Sequence, residues 1–117
     1  MVTSIRPSQL QAWFGTQGAD TSALVLDVRE PHELQRASVA HSASAQGFTL
    51  VAIPMHSVPQ QLAALDPEQP IACLCHHGAR SMQVAQFLES RGYSCVANIT
   101  GGIHAWSQEL DPSIAMY

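Results

Sequence analysis

The chain has 117 residues, a formal net charge of −4 and no lysine, and its five arginines are scattered. This distribution argues against nucleic-acid binding, which needs a basic stripe, and no apolar run approaches the roughly 20 residues that span a membrane. The hydrophobic fraction of 46% is enough for a sizeable core. Strand-like and helix-like segments alternate, which predicts a single α/β domain over residues 1–117.

Cellular location and redox state follow from the N-terminus and the cysteines. The first residues lack the apolar core of a signal peptide, so we expect a cytoplasmic protein. Three cysteines, an odd number, argue against a disulfide framework. Cys73 and Cys95 lie in apolar, strand-like runs, and we interpret both as small buried hydrophobic residues.

The patterns in the first third of the chain predict strands and helices of the structural scaffold. Residues 2–5 favour a short edge strand, and Pro7 suits the first turn of a helix that Gly15 can end. Residues 23–28 form a near-continuous apolar run, typical of a strand buried on both faces of a parallel sheet. Pro31 then lies in the first turn of a second helix.

The middle of the chain predicts a loop, a strand and a helix. Residues 37–48 are small and polar with little periodicity, so we expect a loop. Residues 50–54 predict the third strand. Ser57 and Gln60 match a capping box, which predicts a helix that buries Val58, Leu62 and Leu65.

The most informative stretch is residues 71–81, in which an apolar run ends at Cys75 and a polar loop leads into a helix pattern. Loop amides and the first N–H groups of a helix favour negative charge, so a cysteine there is placed to ionise and act as a nucleophile. Gly78 allows the loop N–H groups to converge. Arg80 adds a fixed positive charge that can also hold an anionic substrate.

The last third predicts a helix, a strand and a final helix. Val84 and Leu88 lie on an apolar helix face that Gly92 can terminate. Residues 95–99 predict the last strand. Two glycines at 101–102 then permit a close turn into a final helix, in which we expect Trp106 to be part of the core.

Three motifs, in order, resemble those of the rhodanese (sulfurtransferase) family: residues 27–33 (Asp-Val-Arg-Glu-Pro-His-Glu), the loop Cys-x-x-x-x-Arg-Ser at 75–81, and Gly-Gly-Ile-x-Ala-Trp at 101–106. Cysteine-dependent phosphatases have one more residue between the cysteine and the arginine. The resemblance implies a rhodanese-like α/β fold, with a central parallel sheet of about five strands and helices on both faces.

The resemblance also implies an activity. Cys75 would be the nucleophile that takes the sulfane sulfur of a thiosulfate-like anion as a persulfide and passes it to cyanide, a thiol or a protein. The active-site loop would comprise His76, His77, Gly78, Ala79, Arg80 and Ser81. Its N–H groups would stabilise the persulfide, Arg80 and protonated His76 or His77 would hold the departing anion, and Ser81 would cap and shape the loop.

The resemblance further implies that Asp27 and Arg29 give structural support by fixing neighbouring loops, with a substrate contact from Arg29 as the alternative. No organic cofactor is implied, because the sequence has neither a dinucleotide-binding fingerprint nor a Walker loop. We also predict no metal site. Cys73, Cys75, His76 and His77 lack a second ligand pair, and adjacent ligands in one short loop rarely surround a tetrahedral ion.

The expected partners are a small anionic sulfur donor and a thiol or protein acceptor, without nucleic acid or membrane. Three other functions remain open from the sequence. The chain could serve as a sulfur relay to a partner protein, as a non-catalytic interaction module, or as a cysteine-dependent phosphatase or arsenate reductase. The physiological donor and acceptor, the oligomeric state and the role of residues 37–48 are not determined by the sequence.

Overall fold

A single sheet of five parallel strands forms the centre of the computed structural model, which describes residues 2–17 and 23–117. The order across the sheet is β1-β5-β4-β2-β3. The strands are β1 (Thr3–Ile5), β2 (Leu24–Asp27), β3 (Thr49–Ala52), β4 (Ile71–Leu74) and β5 (Val96–Ile99). The predicted α/β class with a parallel sheet of about five strands is therefore confirmed.

Helices cover both faces of this sheet. The α-helices are α1 (Leu10–Thr16), α2 (Pro31–Arg36), α3 (Ala40–Gln46), α4 (Ala79–Ser90) and α5 (Gly102–Glu109). Shorter 3₁₀ turns span Pro7–Gln9, Met55–Ser57 and Pro59–Ala64. Within the described ranges, no helix combines the length and apolar character needed to cross a lipid bilayer.

The core has two layers because side chains alternate along each buried strand. Leu26 of β2 points into the layer that includes Leu88 of α4, while Val25 points into the layer that includes Trp106 of α5. All four positions of β2, β4 and β5 are buried. Their near-continuous apolar runs follow from burial on both faces.

The prediction of a loop over residues 37–48 is wrong, because α3 occupies Ala40–Gln46. Its alanines have high helix propensity, although they give no apolar stripe that a periodicity argument could detect. Gly47 ends the helix with a left-handed φ of 75°. Val39 and Phe48 on either side are buried in the Trp106 layer, and this packing holds the short helix in place.

Smaller predictions also failed. The segment after Ser57 forms 3₁₀ turns rather than an α-helix, and no side-chain cap bond forms there. Gly15 lies inside α1, which continues to Thr16. Cys95 lies in a bend just before β5, outside the buried part of the strand, and is therefore partly exposed.

Parallel strands bring their carboxyl ends to one edge of the sheet, and this edge carries the predicted site. Asp27 at the end of β2 pairs in register with Leu74, the residue before Cys75. On the other side of β4, Cys73 pairs in register with Asn98 of β5. The Cys75 loop is thus flanked by the ends of β2 and β5.

Candidate active site

The Cys75 sulfur lies at the carboxyl end of β4, and the residue is only 1% exposed. The Gly78 N–H donates a hydrogen bond to Cys75 Sγ at 3.0 Å, and Ser81 Oγ lies 3.3 Å from the same sulfur. Both groups are hydrogen-bond donors, so they can stabilise negative charge on the sulfur. Ala79 begins α4, which places Ser81 in the first turn of that helix.

The Ser81 hydroxyl is shared between the sulfur and Asn98. It donates to Asn98 Oδ1, and Asn98 Nδ2 donates to the Gly78 carbonyl at 3.1 Å. A hydroxyl has one proton and two acceptor sites. Ser81 can therefore accept from a neutral Cys75 thiol while donating to Asn98, or turn its proton toward a thiolate.

Asn98 contacts the Cys75 loop but is not among the site residues predicted from the sequence. It is 3% exposed and interrupts an otherwise apolar strand. A polar side chain in such a run needs a buried hydrogen-bond partner, and this was the available signal. Its partner could not be identified, because Ser81 lies 17 residues away on another element.

The backbone of the loop is held by the first turn of α5. The Ile103 N–H donates to the Cys75 carbonyl at 2.9 Å, and the His104 N–H donates to the His76 carbonyl at 3.2 Å. Gly102 makes this approach possible, since a Cβ there would lie 2.4 Å from both carbonyl oxygens. Gly78 has a φ of 111°, which lets its N–H turn toward the sulfur.

Arg80 forms a bidentate ion pair with Glu33 of α2. Arg80 Nη1 donates to Glu33 Oε1 at 2.6 Å and Nη2 donates to Oε2 at 2.8 Å. Tyr117 Oη also donates to Oε2, and the Glu30 N–H donates to Oε1. These donors, the Arg80 guanidinium first, lower the pKa of Glu33 to about 2 despite its burial. Both terminal nitrogens of Arg80 are thus directed toward Glu33.

Asp27 and Arg29 form a second ion pair, in which both side chains are fully buried. Arg29 Nε and Nη2 donate to the two Asp27 oxygens at 2.9 and 2.7 Å. The same guanidinium donates to the Ala37 carbonyl at 2.9 Å and to Tyr117 Oη at 3.0 Å. It therefore links β2, the end of α2 and Tyr117, and its burial leaves no surface for a substrate contact.

The two loop histidines meet a third histidine, His104 of α5. The His76 ring stacks on Tyr117 at 3.9 Å between centroids and on His77 at 3.9 Å. His104 lies 5.1 Å from His77 by the same measure. Burial, followed by the charge of His77, lowers the pKa of His76. Nothing in the sequence connects His104 to the loop, because it lies 27 positions after His77 in another motif.

The other two cysteines lie apart from this chemistry. Cys73 is completely buried, and this burial, with a smaller effect of Cys75, raises the pKa of its thiol. Cys95 lies at the opposite end of the sheet from the loop, before the start of β5. Cys75 is therefore the cysteine whose sulfur meets polar donors from the loop and helix.

The sequence model of the rhodanese-like domain matches residues 6–109, which includes the loop and both ion pairs. The chain belongs to the rhodanese-like family. Its sheet and helices also match a rhodanese-related protein from Thermoplasma volcanium with a TM-score of 0.73 and 28% identity, covering 98% of this chain and 99% of that one.

Two proteins that are similar to this chain in sequence differ from each other in length. A sulfurtransferase from Allochromatium vinosum is 31% identical over 98 residues, or 83% of this chain and 84% of that protein. The chloroplastic rhodanese-like/PpiC domain-containing protein 12 of Arabidopsis thaliana is 42% identical over 97 residues. This match covers 81% of the chain but spans only 30% of the length of the plant protein.

Proposed function

We propose that this rhodanese-like chain is a sulfurtransferase that carries sulfane sulfur as a persulfide on Cys75. The observation that carries the proposal is the environment of Cys75 Sγ, which has the Gly78 N–H at 3.0 Å and the Ser81 hydroxyl at 3.3 Å. An almost inaccessible sulfur with two polar donors is suited to hold a small anion away from water. The sulfurtransferase relative of similar length supports the same activity.

In the first step, the Cys75 thiolate attacks the outer sulfur of a thiosulfate-like donor. A bond forms between the two sulfur atoms, the S–S bond of the donor breaks, and sulfite leaves with its electron pair. The product is an anionic persulfide, so the charge near the loop is retained. The Gly78 N–H stabilises that charge, and the Ser81 hydroxyl does so when its proton turns from Asn98 toward the sulfur.

In the second step, an acceptor attacks the terminal sulfur of the persulfide. Cyanide would leave as thiocyanate, and a thiol or protein cysteine would leave as a new persulfide. The Cys75 thiolate is regenerated as the S–S bond breaks, so no external oxidant or organic cofactor is needed. The two half-reactions predict ping-pong kinetics.

The ion pair of Arg80 with Glu33 suggests a positioning role for Arg80. Because both of its terminal nitrogens contact Glu33, it connects α2 to the start of α4, while its charge remains near the loop. A phosphatase would need this guanidinium to grip a phosphate, so the pairing favours sulfur transfer over that alternative. His77 is exposed and remains our candidate contact for the anionic end of the donor.

The test is the intact mass of the protein after brief incubation with thiosulfate. We expect the native chain to gain one sulfur atom and to lose it again on addition of cyanide. The Cys75→Ser variant should gain none, whereas the Cys95→Ser variant, which removes a partly exposed cysteine, should behave like the native chain.

Three other outcomes of this experiment would lead to different conclusions about the function. A sulfur gain that persists in Cys75→Ser and disappears in Cys95→Ser would assign the nucleophile elsewhere. No gain with thiosulfate, mercaptopyruvate or a persulfide donor would contradict the enzyme and favour the interaction module. Strong persulfide formation with weak transfer to cyanide would point to a protein acceptor.

A further inference from the structure

Three imidazoles converge at the rim of the Cys75 loop. His76, His77 and His104 each offer one ring nitrogen, and these three nitrogens all lie within 4.8 Å of one another. His76 Nε2 and His104 Nδ1 are buried and have no hydrogen-bond partner within the described residues. Buried ring nitrogens normally have a partner, so these two nitrogens are available to a bound ligand.

The backbone fixes two members of the cluster relative to each other. The His104 N–H donates to the His76 carbonyl at 3.2 Å, and the preceding Ile103 N–H donates to the Cys75 carbonyl. The His76 ring is held between Tyr117, with an interplanar angle of 6°, and His77, with an angle of 28°. His77 is the exposed member of the cluster.

We propose that His76, His77 and His104 bind a divalent transition-metal ion of the zinc type. Three imidazole nitrogens suit Zn²⁺ and its neighbours, whereas Mg²⁺ and Ca²⁺ prefer oxygen ligands. A metal–nitrogen distance of about 2.1 Å requires the three nitrogens, which lie within 4.8 Å of one another, to move closer together on binding. A fourth position would stay open to water or to an anion at the loop.

This site could not be inferred from ligand spacing. His76 and His77 alone are adjacent ligands in a short loop, and the sequence offers no second ligand pair beside them. The third ligand, His104, lies in the first turn of α5. This helix follows the end of β5, at the same edge of the sheet as the Cys75 loop. The prediction of no metal site therefore rested on spacing along the chain, while the cluster arises from the fold.

The experiment is a titration of the chelator-treated full chain with Co²⁺, read by visible absorption, followed by competition with Zn²⁺. We expect one equivalent of Co²⁺ to give ligand-field bands of a four- or five-coordinate ion, and Zn²⁺ to abolish them. His104→Gln and His77→Gln each remove a direct ligand and should weaken binding by at least about 100-fold, the upper end of the loss seen when only an outer-shell partner is removed. His32→Gln, which changes an exposed histidine outside the cluster, should leave binding unchanged.

A Cys75→Ser variant separates this site from binding by the nucleophile. We expect it to bind Co²⁺ as the native chain does, without a sulfur-to-metal charge-transfer band in either protein. Loss of binding in Cys75→Ser, or unchanged affinity in a folded His104→Gln variant, would overturn the proposal. Absence of binding to the native chain at millimolar Co²⁺ and Zn²⁺ would overturn it as well. The readout does not depend on sulfur transfer.

Discussion

Glu33 and Arg80 form a bidentate ion pair although 47 residues separate them in the chain. The pair joins α2, which follows β2, to the first turn of α4, which closes the Cys75 loop. Arg80 is 36% exposed and the Glu33 side chain only 10%, so the carboxylate is the buried anchor of the pair. The Cys75 loop is therefore held in part by α2, which lies outside the loop motif of residues 75–81.

We expect Glu33→Gln to destabilise the fold by about 2 kcal/mol at pH 6, because it removes the carboxylate that accepts from Arg80 and Tyr117. The measurement is the free energy of unfolding in urea. Glu68→Gln, at an exposed position, is the control and should change it by less than about 0.5 kcal/mol. Equal effects of the two variants would show that the pair contributes little.

The same pair predicts a pH dependence. The pKa of Glu33 is lowered to about 2 from an ordinary 4.5, so its ionised form stabilises the fold fully above pH 4.5 and loses this contribution as the pH falls toward 2. The difference between native and Glu33→Gln unfolding free energies should shrink by roughly half between pH 6 and pH 3. A constant difference over that range would contradict the assignment.

Ser81→Ala tests the hydroxyl between Cys75 and Asn98. We expect persulfide formation to slow by roughly 10- to 100-fold, because the variant removes the hydroxyl whose single proton can turn from Asn98 Oδ1 toward the thiolate. The measurement is single-turnover sulfur transfer from thiosulfate, followed by rapid-quench mass spectrometry. Ser90→Ala, at the exposed end of α4, is the control and should keep the native rate.

Gly102→Ala tests the close contact between α5 and the loop. A Cβ would lie 2.4 Å from the carbonyl oxygens of Cys75 and His76, in addition to the strain of a φ of 60°. We expect a loss of more than about 3 kcal/mol. Gly92→Ala is a matched control with a φ of 90°. A Cβ there would have no other described residue within 4 Å apart from its chain neighbours, so only the strain of about 1–2 kcal/mol remains. Similar losses in urea unfolding would contradict the close packing.

Asp27→Asn tests the fully buried ion pair with Arg29. The change leaves a buried guanidinium without its counter-charge, so we expect a loss of about 3–5 kcal/mol in unfolding free energy. The partly exposed pair of Arg6 with Glu109 is the comparison, and Glu109→Gln should cost under about 1 kcal/mol. A small effect of Asp27→Asn would mean that neutral hydrogen bonds suffice at this position.

The sequence predicted most of the scaffold because its strands are buried on both faces. The apolar runs that contain Val25 and Ala72 mark β2 and β4, and the polar loop after Cys75 marks the carboxyl edge of the sheet. The helix at Ala40–Gln46 escaped prediction, since its small residues carry no apolar stripe and Phe48 and Val39 hold it through packing. The α-helix predicted from the capping box at Ser57 does not form, because this segment folds into 3₁₀ turns.

By itself, the sequence indicated the resemblance to the rhodanese family, the chain order of the five strands and the position of Cys75 before a helix. These properties depend on local patterns: apolar runs, glycines and the number of residues in the loop. Only the tertiary structure decided that Arg80 contacts Glu33, that Ser81 contacts Asn98, and that His104 meets the two loop histidines. Each of these contacts joins residues from different elements at the carboxyl edge of the sheet. Spacing along the chain does not reveal such contacts, because strand order and helix packing set the distances between the residues.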